Sequence, residues 1–184
     1  MSWQENGNKI PNIVWDSIDN EAFLRFFPCL GGEHMQVISR SFHVDTGEAP
    51  DIIDITQRIQ GIVAETEIQD GTILVFAQHT TVAIKINERE DGLLADLKRL
   101  MASIVPDSDE YQHDNLDERD PATMCGVDEC LNGHAHLLQM LFGSTSETIP
   151  IIRGKLVLGE WQHIFLIELS DPRKRTVSVT VIGN

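Results

Sequence analysis

Gln78-His79-Thr80-Thr81 stands where an apolar run ends, with Asn87-Glu88-Arg89-Glu90-Asp91 downstream. An imidazole set among hydroxyls can act as a general base or as a ligand. A histidine satisfied by a neighbouring carbonyl is the competing explanation. A second histidine-bearing segment, Asn132-Gly133-His134-Ala135-His136, opens a helical pattern. Histidines two apart share one side of a strand but take opposite sides of a helix. They therefore share a site only if the helix begins at or after His134; otherwise one of them goes to the core or an interface. A helix start with free N–H groups also suits a phosphate or pyrophosphate.

Three further segments carry polar chemistry. Cys125-x4-Cys130-x3-His134-x-His136 offers thiolates and imidazoles at a spacing that could close a tetrahedral zinc site. Its first interval is wider than the common C-x2-C knuckle, and idle or buried cysteines are the alternative. The acidic stretch from Asp107 to Asp120 encloses Tyr111, His113 and Asp114. Such a run is ordinarily a solvated loop, but His113 and Asp114 can reach into a site as base and orienting carboxylate. In Gly159-Glu160-Trp161-Gln162, Trp161 can floor a pocket and Gln162 can donate and accept hydrogen bonds. Alternation with Phe165 and Ile167 makes Trp161 a core candidate as well.

The elements that must position these residues follow from periodicity. A strand is expected near 36–44. A helix follows, capped by Asp54 with Gln57 as capping-box partner and burying Ile55, Ile59, Ile62 and Val63. Residues 72–77 read as an apolar strand, with 80–87 as its continuation or its hairpin partner. After Asp91 a second helix has Leu93, Leu94, Leu97, Leu100, Met101 and Ile104 as its expected buried stripe, and Pro106 lies just beyond it. Residues 107–132 lack periodicity, which in a folded domain marks a functional or mobile loop. A third helix is expected over 133–142, closed by Gly143. Strands over 146–152, 155–158, 161–169 and 175–182 complete the pattern. In the last of these Val177, Val179 and Val181 face one way. Helices and strands do not alternate, so the fold class is α+β rather than doubly wound.

Residues 1–34 read as an N-terminal extension and 35–184 as a single domain. In the extension Ala22, Phe23, Phe26 and Phe27 follow Asp19 at helical spacing, and Gly31-Gly32 would end a short helix. With Trp3 and Trp15, the extension is expected to pack on the domain or on a neighbouring subunit.

Composition narrows the function. Of 184 residues, 41% are hydrophobic and 23% charged, as in ordinary globular domains. The net charge of -15, from 29 acidic against 14 basic side chains, opposes bulk nucleic-acid binding but leaves room for a local anion pocket. No apolar run suits a membrane helix, and no signal peptide is evident. Three cysteines form no disulfide framework, so a cytoplasmic location is expected.

These motifs together resemble the YjbQ family, also called UPF0047. The resemblance rests on His79-Thr80-Thr81, Asn87-Glu88, Tyr111-x-His113 and Asn132-Gly133-His134-Ala135-His136. It rests most specifically on Ser146-x2-Ile149-x-Ile151-x2-Gly154-x4-Gly159-x-Trp161-Gln162-x-Ile164, and it spans nearly all of 36–184. Many members have Thr where Glu160 stands here, and Cys125 and Cys130 are outside the pattern.

The resemblance implies a compact α+β fold, mixed or antiparallel β-sheets in a sandwich with about three helices, and a homotrimer. It also implies secondary thiamine-phosphate synthase activity, which joins a hydroxymethylpyrimidine pyrophosphate to a thiazole phosphate and is thought to be a side activity. On that reading His79, His113, His134 and His136 are catalytic. Thr80, Thr81, Asn87, Glu88, Asn132, Gly133, Glu160, Trp161 and Gln162 bind a small phosphorylated substrate. Mg2+ or Zn2+ is the expected metal, with His79, His134 and His136 as its ligands and no organic cofactor. The alternatives are a metal-dependent hydrolase using the histidines and a non-catalytic binder of a phosphorylated metabolite.

Overall fold

The computed structural model describes residues 23–28, 34–108, 110–124 and 130–184. The expectations for Trp3, Trp15, Gly31-Gly32 and Cys125 fall outside them. Among the described residues, twelve-residue β2 (His34–Asp45) is the first long element, preceded by β1 (Phe23–Pro28). The short helix expected over this last span does not form. Phe-Leu-Arg-Phe-Phe is rich in strand formers, and pairing along the free edge of β2, Phe23 opposite Ser39, overrides a weak helical spacing.

Next come β3 (Asp51–Asp54), α1 (Thr56–Thr66), β4 (Gly71–Ala77) and β5 (Val82–Glu88). Helix α2 (Asp91–Ile104) and α3 (Gly133–Phe142) flank a loop whose described residues include the single-turn 3-10 segments Gln112–Asp114 and Pro121–Thr123. The chain ends in β6 (Ser146–Ile152), β7 (Lys155–Leu156), β8 (Gln162–Glu168) and β9 (Lys174–Gly183).

Among the described residues, the strands make two antiparallel sheets. One has six strands in the order β1-β2-β9-β4-β6-β7, the other three in the order β3-β8-β5. The main core fills the space between them. Val177, Val179 and Val181 of β9 and Ile73 and Val75 of β4 meet Ile164 and Leu166 of β8, with Ile59 and Val63 of α1 closing the side. A smaller core lies on the outer face of the three-stranded sheet. There Ala83, Phe165 and Ile167 pack under Met101 of α2 and Ala135 and Leu138 of α3. The α+β class and the sandwich are thus as expected.

Two expectations fail for identifiable reasons. Strand β5 is neither a continuation nor a hairpin partner of β4, because the chain crosses from the large sheet to the small one at Gln78–Thr81. Both strands are apolar enough to be buried, and periodicity cannot assign them to sheets. In α2 only Met101 is buried, while Leu93, Leu100 and Ile104 are 37%, 43% and 53% exposed. A 14-residue helix lying on a three-stranded sheet has more apolar stripe than its own chain covers. Among the described residues, no helix is long and apolar enough to cross a membrane.

Candidate functional site

The segment Tyr111–Asp114 packs directly on the start of α3. Gly133 makes that approach feasible: a Cβ there would sit 2.7 Å from the Tyr111 Cβ and 3.1 Å from that of His113. Its N–H donates to Asp114 Oδ1 at 2.9 Å. The same oxygen lies 3.0 Å from His113 Nδ1. Burial would raise the Asp114 pKa, but donation from His113 and from the N–H groups of Gly133 and Asn132 outweighs it, so the pKa falls below its ordinary value. An ionised carboxylate only accepts, so His113 donates through Nδ1 and its neutral ring keeps a lone pair on Nε2.

The His113 ring meets that of His136, with centroids 4.6 Å apart and planes 42° apart. His134 turns instead to Tyr111, at 6.4 Å. This answers the periodicity question: in the helix the two histidines diverge, and His136 is the one beside His113. Asp114 also changes the expectation for the helix start. That terminus already holds a carboxylate, so it is not an open phosphate cradle.

His79 belongs to a different network. The Thr176 N–H donates to its Nε2 at 2.9 Å, so the neutral ring is protonated at Nδ1. Burial, then the nearby charges of Arg175 and Arg173, lower its pKa, with Glu168 pulling the other way. Glu168 and Arg175 are 0% and 3% exposed and form a buried bidentate ion pair. Thr46 Oγ1 and the Ser170 N–H also donate to Glu168, at 2.9 and 3.0 Å, and Arg175 donates to Thr81 Oγ1 at 3.0 Å. Thr81 is therefore a buried strut, while Thr80 is exposed. Arg173 Nη2 lies 3.7 Å from Cys130 Sγ, which brings the segment entering α3 against this network.

Asn87, Glu88, Glu160, Trp161 and Gln162 stand elsewhere. Glu88 pairs with Gln162 at one end of the β5–β8 ladder, and Val82, next to Thr81, pairs with Glu168 at the other. Six strand steps separate these ends by roughly 20 Å. Trp161 is 66% exposed, so it is not a core residue. Gln162 Oε1 accepts from the Gly159 N–H at 2.8 Å and braces the turn. Beside them is a pair the sequence reading passed over: His163 Nδ1 lies 2.9 Å from Asp54 Oδ2, with Arg89 at 3.6 Å. Asp54 also serves the helix start, accepting from the Thr56 N–H and hydroxyl, without Gln57.

The expected metal triad is not brought together. Among the described residues, no three His, Cys, Asp or Glu side chains converge as ligands. His79 Nε2 is engaged by backbone, and His113 Nδ1 by Asp114.

Two antiparallel sheets and three helices among the described residues make the protein an α+β sandwich, with a carboxylate–histidine dyad at a helix start. A family model described as UPF0047 protein YjbQ-like matches residues 40–184, and the chain belongs to that family. A UPF0047 protein of Methanothermobacter thermautotrophicus is 35% identical over 152 residues, 83% of this chain and 96% of the relative. One from Archaeoglobus fulgidus is 39% identical over 137 residues, 74% of this chain and 95% of the relative. Among solved structures, a YbjQ-like protein of unknown function from Sulfolobus solfataricus superposes with a TM-score of 0.71 at 34% identity. That match covers 82% of this chain and all of the other. A YjbQ/UPF0047 protein from Clostridium acetobutylicum gives 0.66 at 31% identity, covering 77% and 98%.

Proposed function

We propose that this chain is a group-transfer enzyme of the thiamine-phosphate synthase type, with its acid–base chemistry at the start of α3. The observation that carries this reading is the Asp114–His113–His136 array: a carboxylate, an imidazole it orients, and a second imidazole against the first. The substrate class comes from the family resemblance. In the transfer, the thiazole nitrogen lone pair forms the new C–N bond to the pyrimidine methylene. The C–O bond to pyrophosphate breaks, and its electron pair leaves with the pyrophosphate oxygen. Protonated His113, stabilised by Asp114, donates its Nε2 proton to that oxygen directly or through His136. Because Asp114 occupies the helix terminus, phosphate charge falls to the imidazolium groups and to Arg173 beside Cys130.

The homotrimer implied by the resemblance belongs to the same proposal, as does a cytoplasmic setting. The exposed Leu100, Ile104, Met140 and Leu141 support self-association. The test supplies both substrates to wild type and to His113→Ala and follows thiamine phosphate and pyrophosphate. Product from wild type, reduced by about 10²-fold or more in the variant, is the expected result. Pyrophosphate released without thiamine phosphate would make the dyad hydrolytic. Thermal stabilisation by substrate with no turnover would make the protein a binder.

A further inference from the structure

A second place has the make-up of a small-molecule site: the cleft between α2 and the outer face of the three-stranded sheet. Its volume is about 170 Å³. Ile52, Phe165 and Ile167 form the floor, and Leu94, Leu97 and Met101 form the roof. Lys85 and Asn87 add polar groups at the mouth. They pair across the ladder with Phe165 and His163, so all four share the outer face. Apolar walls with a few convergent polar groups are the ordinary composition of a ligand pocket.

Size and charge narrow the ligand. Pockets for drug-sized molecules run to roughly 300–1,000 Å³, whereas an apolar cavity of about 150 Å³ holds one benzene. The cleft therefore takes a single ring or a short branched chain, and excludes a nucleotide. Lys85 sets the sign. It is half-buried, and its ammonium has no hydrogen-bond or ion-pair partner among the described residues, although Arg89, Arg99, Arg173 and Arg175 each have a carboxylate. An unpaired ammonium beside apolar walls gains a charge-assisted partner when an anion enters. Glu88, also at the mouth, disfavours a second negative charge on the ligand.

We propose that this cleft binds a small monocarboxylate with a compact apolar body, the carboxylate held by Lys85 and the Asn87 amide and the body buried against Phe165 and Leu97. The lining of this cleft shares no residue with the His113 array. Phe142, which lines the cleft, lies at the opposite end of α3 from Gly133, about 14 Å of helix away.

Amide-resolved NMR titration of the full chain with benzoate, 3-methylbutanoate and the neutral isostere benzamide tests this. Lys85→Met keeps the aliphatic stem and removes only the charge. Saturable shifts centred on Ile52, Leu97 and Phe165 are expected for at least one of the two acids, with benzamide and the Lys85→Met variant each weaker by about tenfold. The proposal is overturned if neither acid saturates up to about 10 mM. It is equally overturned if the variant or the amide binds as well as the wild-type–carboxylate pair, or if the shifts map to another face.

Discussion

A single oxygen of Asp114 receives both the His113 Nδ1–H and the Gly133 N–H. One carboxylate therefore fixes the tautomer of the dyad and the position of the helix that carries His136. The two duties separate in Asp114→Asn. The amide oxygen still accepts from Gly133, so the helix start survives. It is no longer an anion, so it stabilises an imidazolium far less and tolerates the wrong tautomer. Asp114→Asn is expected to unfold within about 1 kcal/mol of wild type by denaturant titration. Its turnover in the transferase assay should fall by about 10²–10⁴-fold. A variant that keeps full turnover would remove Asp114 from the chemistry. Because the Asp114 pKa is depressed, the carboxylate stays ionised down through its ordinary value of 3.8. A loss of rate as pH rises near neutrality, where the acid gives up its proton, therefore belongs to a histidine and not to Asp114.

At the scale of elements, what could be read in advance divides by range. The termini of α2 and α3 and the alternating valines of β9 follow from neighbours in sequence. His113 and Asp114 were legible as a pair because they are adjacent. Sheet membership was not legible: an apolar run says that β4 and β5 are buried, not which layer each joins. The same limit hid the Asp54–His163 and Glu168–Arg175 pairs, whose members come from different strands. It also separates Thr81 from Glu88 by the length of β5, although a family pattern places both in one list of site residues. Gly133 tests how tightly element and site are joined. In Gly133→Ala the added methyl meets backbone-tethered Cβ atoms of Tyr111 and His113, which cannot swing aside as a side-chain tip would. The cost should be about 1–3 kcal/mol by denaturant unfolding, with the His113 ring resonances displaced. If the variant is as stable as wild type with those resonances unmoved, the close packing of this loop on α3 is wrong.

For the whole molecule, an acidic chain is held around buried charge, and pH acts on the two in opposite directions. Lowering the pH relieves the repulsion that comes with a net charge of -15. It also removes carboxylates that the fold uses. Glu168, Asp54 and Asp114 have folded pKa values below their ordinary 4.5, 3.8 and 3.8. In each, hydrogen-bond donors outweigh the upward push of burial. Their stabilisation is fully present above those ordinary values and is lost as pH falls through the folded ones. His79 acts earlier. Burial and the neighbouring arginines hold it below 6.5, so the unfolded chain takes up its proton first and stability declines as soon as pH falls past about 6.5. Surface repulsion is screened at an ionic strength of about 0.5 M, while the buried groups are screened much less. At that salt concentration Tm should be level above neutrality, decline gently below about pH 6.5, and fall steeply below about 4.5. His79→Gln, whose side-chain oxygen can still accept from Thr176, should abolish the first stage alone. Glu168→Leu with Arg175→Met replaces the buried pair by apolar groups and should reduce the second, because no paired carboxylate remains there to protonate. A wild-type Tm that stays flat from pH 7 to 4 in high salt would mean that these groups do not govern acid stability.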